Sequence, residues 1–233
     1  MKRQAITALA VAWLCIGICT QSHAASQCFG TVSKGRIEGA VKLPTNGKKF
    51  SAYSSAGAAL GRTYVHSQVA EIIAASYAAL ALSMPHVSYV YGETGWESGA
   101  HFRPHRSHQN GTSVDFFVPV RNAAGQSVAL PSSLMNRFGY DIEFDANGAF
   151  GEYRIDFVAL AEHLYQLQLA AKARLGNEGI ALVIFDEAYL PKLFATPRGA
   201  ALKATLTFMK GKPWVRHDEH FHVDFAVPCQ AYK

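Results

Sequence analysis

Apolar positions along the chain change period several times, and each period predicts an element. From Ser67 to about Ser83, Val69, Ile72, Ile73 and Leu80 fall on one stripe, which predicts a helix capped by Ser67 and ended before Pro85. A second stripe of Phe157, Leu160, Leu164, Leu167 and Ala171 predicts a helix that Asp156 caps and Gly176 stops. Residues 199–209 suggest a third. Shorter apolar runs at 87–91, 113–118, 180–185 and 220–227 read as strands. Residues 140–144 and 149–153 flank Asp145-Ala146-Asn147-Gly148 and read as a hairpin. Residues 26–66 look like irregular wrapping, and residues 92–112 like a loop dense in Gly, His and Arg. Strands and helices mix without strict alternation. The expected fold is α+β: one domain with a central, mainly antiparallel sheet, flanked by helices and loops.

The first residues break this pattern. Lys2 and Arg3 precede an apolar run from Ala5 to Cys19, and Ser22-His23-Ala24 supplies small residues where a signal peptidase reads. The expectation is a signal peptide over residues 1–24, one domain over 25–233, and periplasmic export. The apolar run is short for a bilayer span and no later stretch qualifies, so no stable membrane insertion is expected once the signal is removed. The net charge of +5 includes Lys2 and Arg3. The remaining excess is mild, suits an anionic polymer such as cell wall, and comes without the Lys/Arg run of a nucleic-acid binder. Of four cysteines, Cys28 and Cys229 lie beyond the leader. An oxidising compartment favours a disulfide between them, and loop entropy values so long a closure at about 5 kcal/mol at the upper end.

Candidate chemistry sits in two clusters that hold six of the ten histidines. HFRPHRSHQNGTSVD carries His101, His105, His108 and Asp115; RHDEHFHVDF carries His217, His220 and His222. A catalytic zinc takes three imidazole or carboxylate ligands and keeps a position open, and His108, Asp115 and His222 can hold one such ion. Side chains two apart on a strand share a face, so His220, His222 and Asp224 oppose Phe221, Val223 and Phe225. His108 and Asp115 would stand about 23 Å apart in extended chain, so the chain must fold back, and Asn110-Gly111 offers the turn. Pairing the 113–118 strand with the last strand then brings His222 to Asp115. His220, on the metal's face, is the expected catalytic base. Glu219 is its rival: it points away on a regular strand, unless the chain bends at Asp218-Glu219. His217 and His105 are candidates to polarise a carbonyl, steady an oxyanion or hold a second metal, and Arg103 or Arg106 to hold a substrate carboxylate. His101 has no assigned role. A purely structural zinc usually needs cysteines or a closed four-ligand set, neither of which the clusters supply.

His108-Gln-Asn-Gly111-Thr-Ser-Val-Asp115 resembles the H-x-x-G-x-x-x-D pattern of the lysostaphin, D-alanyl-D-alanine peptidase and hedgehog zinc fold. The stretches from Pro104 to Phe116 and from Pro213 to Val223, with an H-x-x-H-F-H core, are most similar to the penicillin-insensitive murein endopeptidases. Gly92-Glu93 looks like a Gly-acidic pair of that family, and motif order, the leader and a Cys shortly after the last strand fit as well. The resemblance implies a periplasmic zinc peptidase that hydrolyses D-alanyl–meso-diaminopimelyl cross-links of peptidoglycan. It implies His108, Asp115 and His222 as ligands, His220 as the catalytic histidine, and His217 and His105 near the metal. Glu219-x-x-His222 also fits the E-x-x-H pattern of D-alanyl-D-alanine peptidases, which keeps a carboxypeptidase or dipeptidase open. A cell-wall- or metal-binding module without turnover is the non-enzymatic alternative, and a secreted nuclease is disfavoured by the weak charge. Oligomeric state is not legible.

Overall fold

A computed structural model describes residues 25–232, so the leader expected over residues 1–24 lies outside the described residues. The domain is a mixed α+β fold around a six-stranded sheet. Its strand order is Ile180–Ile184, His220–Phe225, Ser113–Phe117, Tyr89–Tyr91, Phe50–Ala52 and Asn46–Gly47. All neighbours run antiparallel except Phe50–Ala52 and Tyr89–Tyr91, which are parallel.

The two central strands follow the alternation of their sequences. In their register Phe221 faces Phe116, His222 faces Asp115 and Asp224 faces Ser113. The rings of Phe116 and Phe221 stack at 5.3 Å on the apolar side. Against them packs the helix Phe157–Leu175, whose His163 ring lies 4.9 Å from Phe116 and 5.4 Å from Phe221. Asp156 caps this helix, accepting a hydrogen bond from the Ala159 amide at 3.1 Å, and Gly176 ends it. The helix Ser67–Ser83 packs beside it. Its cap is His66, whose Nδ1 accepts from the Gln68 amide, and not the expected Ser67. The two helices and the apolar sheet face enclose the core, which leaves the polar face of the same strands free for chemistry.

Elsewhere the sequence pattern was a poorer guide. Residues 26–66 are not mere wrapping: they hold the hairpin Gln27–Thr31/Lys34–Glu38 and the last two strands at one end of the main sheet. Residues 140–144 form no strand. The Phe144 amide donates to the Asp218 carboxylate at 2.5 Å where a ladder partner would stand, and the hairpin is Ala149–Phe150 with Tyr153–Ile155. The third helix is shorter than expected, Gly199–Thr205. Cys28 and Cys229 are joined in the expected disulfide. The backbone knits the same seam, with hydrogen bonds from Gly30 N to Gln230 O and from Gln230 N to Cys28 O.

Candidate metal centre

The first cluster reaches the sheet through a tight reversal. His108 has a left-handed φ of 67° and Gly111 one of 77°. A Cβ on Gly111 would stand 2.5 Å from Ile37 Cδ1 and 3.0 Å from the His66 amide, so only glycine fits. Asn110 Oδ1 accepts from the Thr112 amide and hydroxyl, closing the turn. The chain folds back where the sequence required it and enters the Ser113–Phe117 strand with Asp115 on the polar face.

Asp115 is fully buried, and four histidines surround its carboxylate. Oδ1 lies 3.2 Å from His108 Nε2 and 2.8 Å from His222 Nδ1. Oδ2 lies 3.6 Å from His105 Nδ1 and 3.8 Å from His220 Nε2, and accepts from the Tyr140 hydroxyl at 3.1 Å. Each histidine is held from behind by an acceptor on its other nitrogen. His105 Nε2 donates to Glu93 at 2.6 Å, His108 Nδ1 to the Thr94 carbonyl at 3.2 Å, His220 Nδ1 to Glu219 at 2.7 Å and His222 Nε2 to Asp224 at 2.8 Å. These acceptors have no proton to give, so they fix the outer nitrogen as the protonated one. Second carboxylates and carbonyls of this kind are what orient metal-binding histidines.

The inner nitrogens test whether a metal fits. Burial lowers the pKa of His108, so its ring is neutral and its Nε2 carries a bare lone pair. That atom is buried without a hydrogen-bond partner, and it faces a carboxylate oxygen. Two acceptors at 3.2 Å in a dry site repel one another unless a cation lies between them. The spacing matches two ligands of one zinc, about 3–4 Å apart for metal–ligand distances near 2 Å. The Asp115 carboxyl is ready for that role: burial pushes its pKa up, but His108 and His220 outweigh it and hold the group well below the usual carboxylate range. His222, between Asp115 and Asp224, shows the same demand for positive charge. Burial opposes its protonation, yet the two carboxylates raise its pKa.

Among the described residues, His105, His108 and Asp115 form a donor set whose ligand atoms lie within 4.8 Å of one another and could hold a metal ion. His105, expected beside the metal, is thus a member of this set. His222, expected as a ligand, turns Nδ1 toward the same carboxylate. Glu219 does not follow the strand alternation assumed for it, because the strand begins only at His220 and residues 218–219 form a bend. Its buried carboxylate meets His220 directly. His217 donates from Nδ1 to the Val215 carbonyl at 2.9 Å and packs on the His220 ring at 4.6 Å. Burial drops its pKa to about 3, so it is neutral and offers the cleft an acceptor. Arg103 points outward, its Nε donating to His101 at 3.3 Å, and Arg106 lies over Trp214.

Three site residues escaped the sequence reading. Tyr140 comes from an irregular turn with no motif of its own. Asp224 sits on the strand face the sequence predicts, but nothing in the sequence marks it as a partner of His222. Glu93 shows in the sequence only as part of a Gly-acidic pair. It accepts from both Arg62 and the Tyr53 hydroxyl while holding His105, and Arg62 and His105 bring its pKa down to about 2 against the upward push of burial. Part of the centre opens onto a cleft of about 540 Å³ whose wall includes Glu93, His105, His217, Glu219, His220 and His222, while His108 and Asp115 lie buried beside it. The centre is therefore reachable by a substrate, which a storage or structural metal site has no need to be.

No curated protein matches the chain. The family model described as penicillin-insensitive murein endopeptidase matches residues 28–136, just under half of the chain, including the first histidine cluster and Asp115 and ending before the second. That family points to a hydrolase acting on murein peptides. No helix among the described residues is long and apolar enough to cross a membrane. The match over residues 28–136 supports the family that the two histidine motifs suggested: the penicillin-insensitive murein endopeptidases.

Proposed function

We propose that this chain is an exported, zinc-dependent murein endopeptidase that hydrolyses D-alanyl–meso-diaminopimelyl cross-links of periplasmic peptidoglycan. The observation that carries the reading is the bare, buried His108 Nε2 facing Asp115, packed against His105 and His222, which line an open cleft. His108, Asp115 and His222 hold the ion, and His105 is a further donor on the Oδ2 side. When bound, zinc supplies a Lewis acid that polarises the scissile carbonyl and lowers the pKa of water.

The chain's own groups do the rest. His220 Nε2 faces the centre while Nδ1–H is held by Glu219, the arrangement of a proton acceptor with its orienting carboxylate. The two rivals of the sequence reading thereby act as one pair. Tyr140 fixes the Asp115 carboxylate through Oδ2. Glu93, Thr94 and Asp224 fix the rings of His105, His108 and His222, so little reorganisation is left for the reaction. No serine nucleophile takes part, so β-lactams do not inhibit.

Digestion of purified sacculi with and without a chelator, read by mass spectrometry, tests the reading. The expected products are monomeric muropeptides from dimers, and chelation stops their release. Cleavage that survives chelation sinks the proposal, as does a complete absence of cleavage. Release of the terminal D-alanine alone selects the carboxypeptidase, an outcome kept open by the contact of Glu219 with the site.

A further inference from the structure

Three arginines line the cleft: Arg62, Arg137 and Arg216. Two are committed. Arg62 is paired with Glu93 and donates to the Arg103 carbonyl. Arg216 donates to Asp186, Glu143, the Phe144 carbonyl and the Tyr189 hydroxyl. Arg137 differs from both. Its side chain is 63 % exposed, and its only partner among the described residues is Asp141, itself at the cleft wall, at 2.7 Å from Nε and 2.5 Å from Nη2.

The backbone holds Arg137 there against its own preference. Arg137 (φ 47°, ψ 46°) and Phe138 (φ 58°, ψ 33°) are consecutive non-glycine residues in the left-handed region, and Gly139 follows at φ 105°. A Cβ makes such conformations costly, and they persist only where the surroundings over-determine them. Here Asn136 Oδ1 accepts from the Ser133 and Gly139 amides at 2.8 and 3.0 Å, its Nδ2 donates to the Pro131 carbonyl, and the Phe138 amide donates to Ser133 O at 2.6 Å. The far end of the turn is pinned at the metal centre by Tyr140. The turn thus holds the Arg137 backbone at the cleft wall, which the exposed Leu134 also lines, and Asp141 holds the guanidinium there.

We propose that Arg137 is a substrate-binding residue that takes a free carboxylate of the cross-linked stem peptide. The proposal rests on the endopeptidase reading. Diaminopimelate carries a carboxylate outside the scissile bond, and a planar guanidinium binds such a group through two parallel hydrogen bonds. Asp141 occupies and aligns the guanidinium until the substrate replaces it.

The test compares steady-state cleavage of a muropeptide dimer with free diaminopimelate carboxylates and of the same dimer with those carboxylates amidated. Arg137→Ala raises KM for the acid dimer about tenfold or more, leaves kcat within about twofold, and adds nothing to the already high KM for the amidated dimer. Arg137→Lys recovers part of the loss. Asp141→Asn, which keeps Arg137 and removes its competitor, lowers KM for the acid dimer. An unchanged KM in Arg137→Ala overturns the inference, as does an equal rise on both dimers; in either case the endopeptidase reading stands as long as the wild type cleaves. If the wild type cleaves neither dimer, the endopeptidase reading falls and this inference falls with it.

Discussion

The acceptor behind each histidine decides which nitrogen is left for chemistry, and this makes the outer acceptors testable one at a time. Asp224 holds Nε2 of His222 and is itself held by the Ser113 hydroxyl at 2.6 Å. Asp224→Asn keeps the shape but no longer enforces the tautomer, so zinc affinity falls about 10- to 100-fold, as measured by competition with a chromogenic chelator. An unchanged affinity removes His222 from the ligand set and leaves His105, His108 and Asp115. At the neighbouring pair, His220→Ala lowers kcat by about 10²- to 10⁴-fold with zinc still bound, and Glu219→Gln by a smaller factor in the same direction. Full kcat in Glu219→Gln would show that Glu219 does not orient the base.

At the scale of elements, the sequence was most legible where a simple period governs. Alternation in Ser113–Phe117 and His220–Phe225 puts Phe116 and Phe221 on the face opposite Asp115 and His222, and burying those two rings fixes the register that pairs His222 with Asp115. The turn over residues 133–140 was illegible for the opposite reason. Its left-handed residues are arginine and phenylalanine, which carry no turn signal, and the hydrogen bonds of Asn136 hold it together. Arg137 and Tyr140 therefore reached the cleft unannounced. Glu219 depends on the one condition the sequence leaves open, a bend at Asp218-Glu219, and the chain does bend there, with the strand beginning only at His220. The long helix Phe157–Leu175 was read nearly whole, but not the use of its His163. That ring is enclosed by Tyr77, Tyr89, Phe116 and Phe221, and neither nitrogen has a partner. Burial pushes its pKa down to about 3, below the unfolded value of 6.5. The unfolded chain therefore takes up this proton first, and the stability due to neutral His163 is full above pH 6.5 and lost as pH falls toward 3. Between pH 7 and pH 5 the loss is about 2 kcal/mol. Urea unfolding at the two pH values should show it in the wild type and show it reduced by that amount in His163→Leu. Equal pH dependence in both would mean that the ring finds a proton partner in solution.

Across the whole molecule, the sheet separates two duties. One face, with Phe116, Phe221 and the two long helices, is packed by apolar burial; the other carries the histidines and the cleft. The disulfide and the bonds between Gly30, Cys28 and Gln230 close the fold at a third place. None of these supports passes through the metal ligands. Chelation should therefore abolish hydrolysis while leaving the far-ultraviolet dichroism intact, lower the melting temperature by only a few degrees, and be reversed by adding zinc. A global unfolding on chelation, as in small domains that fold only around their metal, would contradict this arrangement.

The order of events in the protein's life then follows from the two faces of a single pair of strands. Because one side of Ser113–Phe117 and His220–Phe225 is packed without help from the other, the chain can reach its final shape before any ion arrives. The centre is then a vessel filled after it is made, and a compartment's supply of zinc sets how many copies work rather than how many survive.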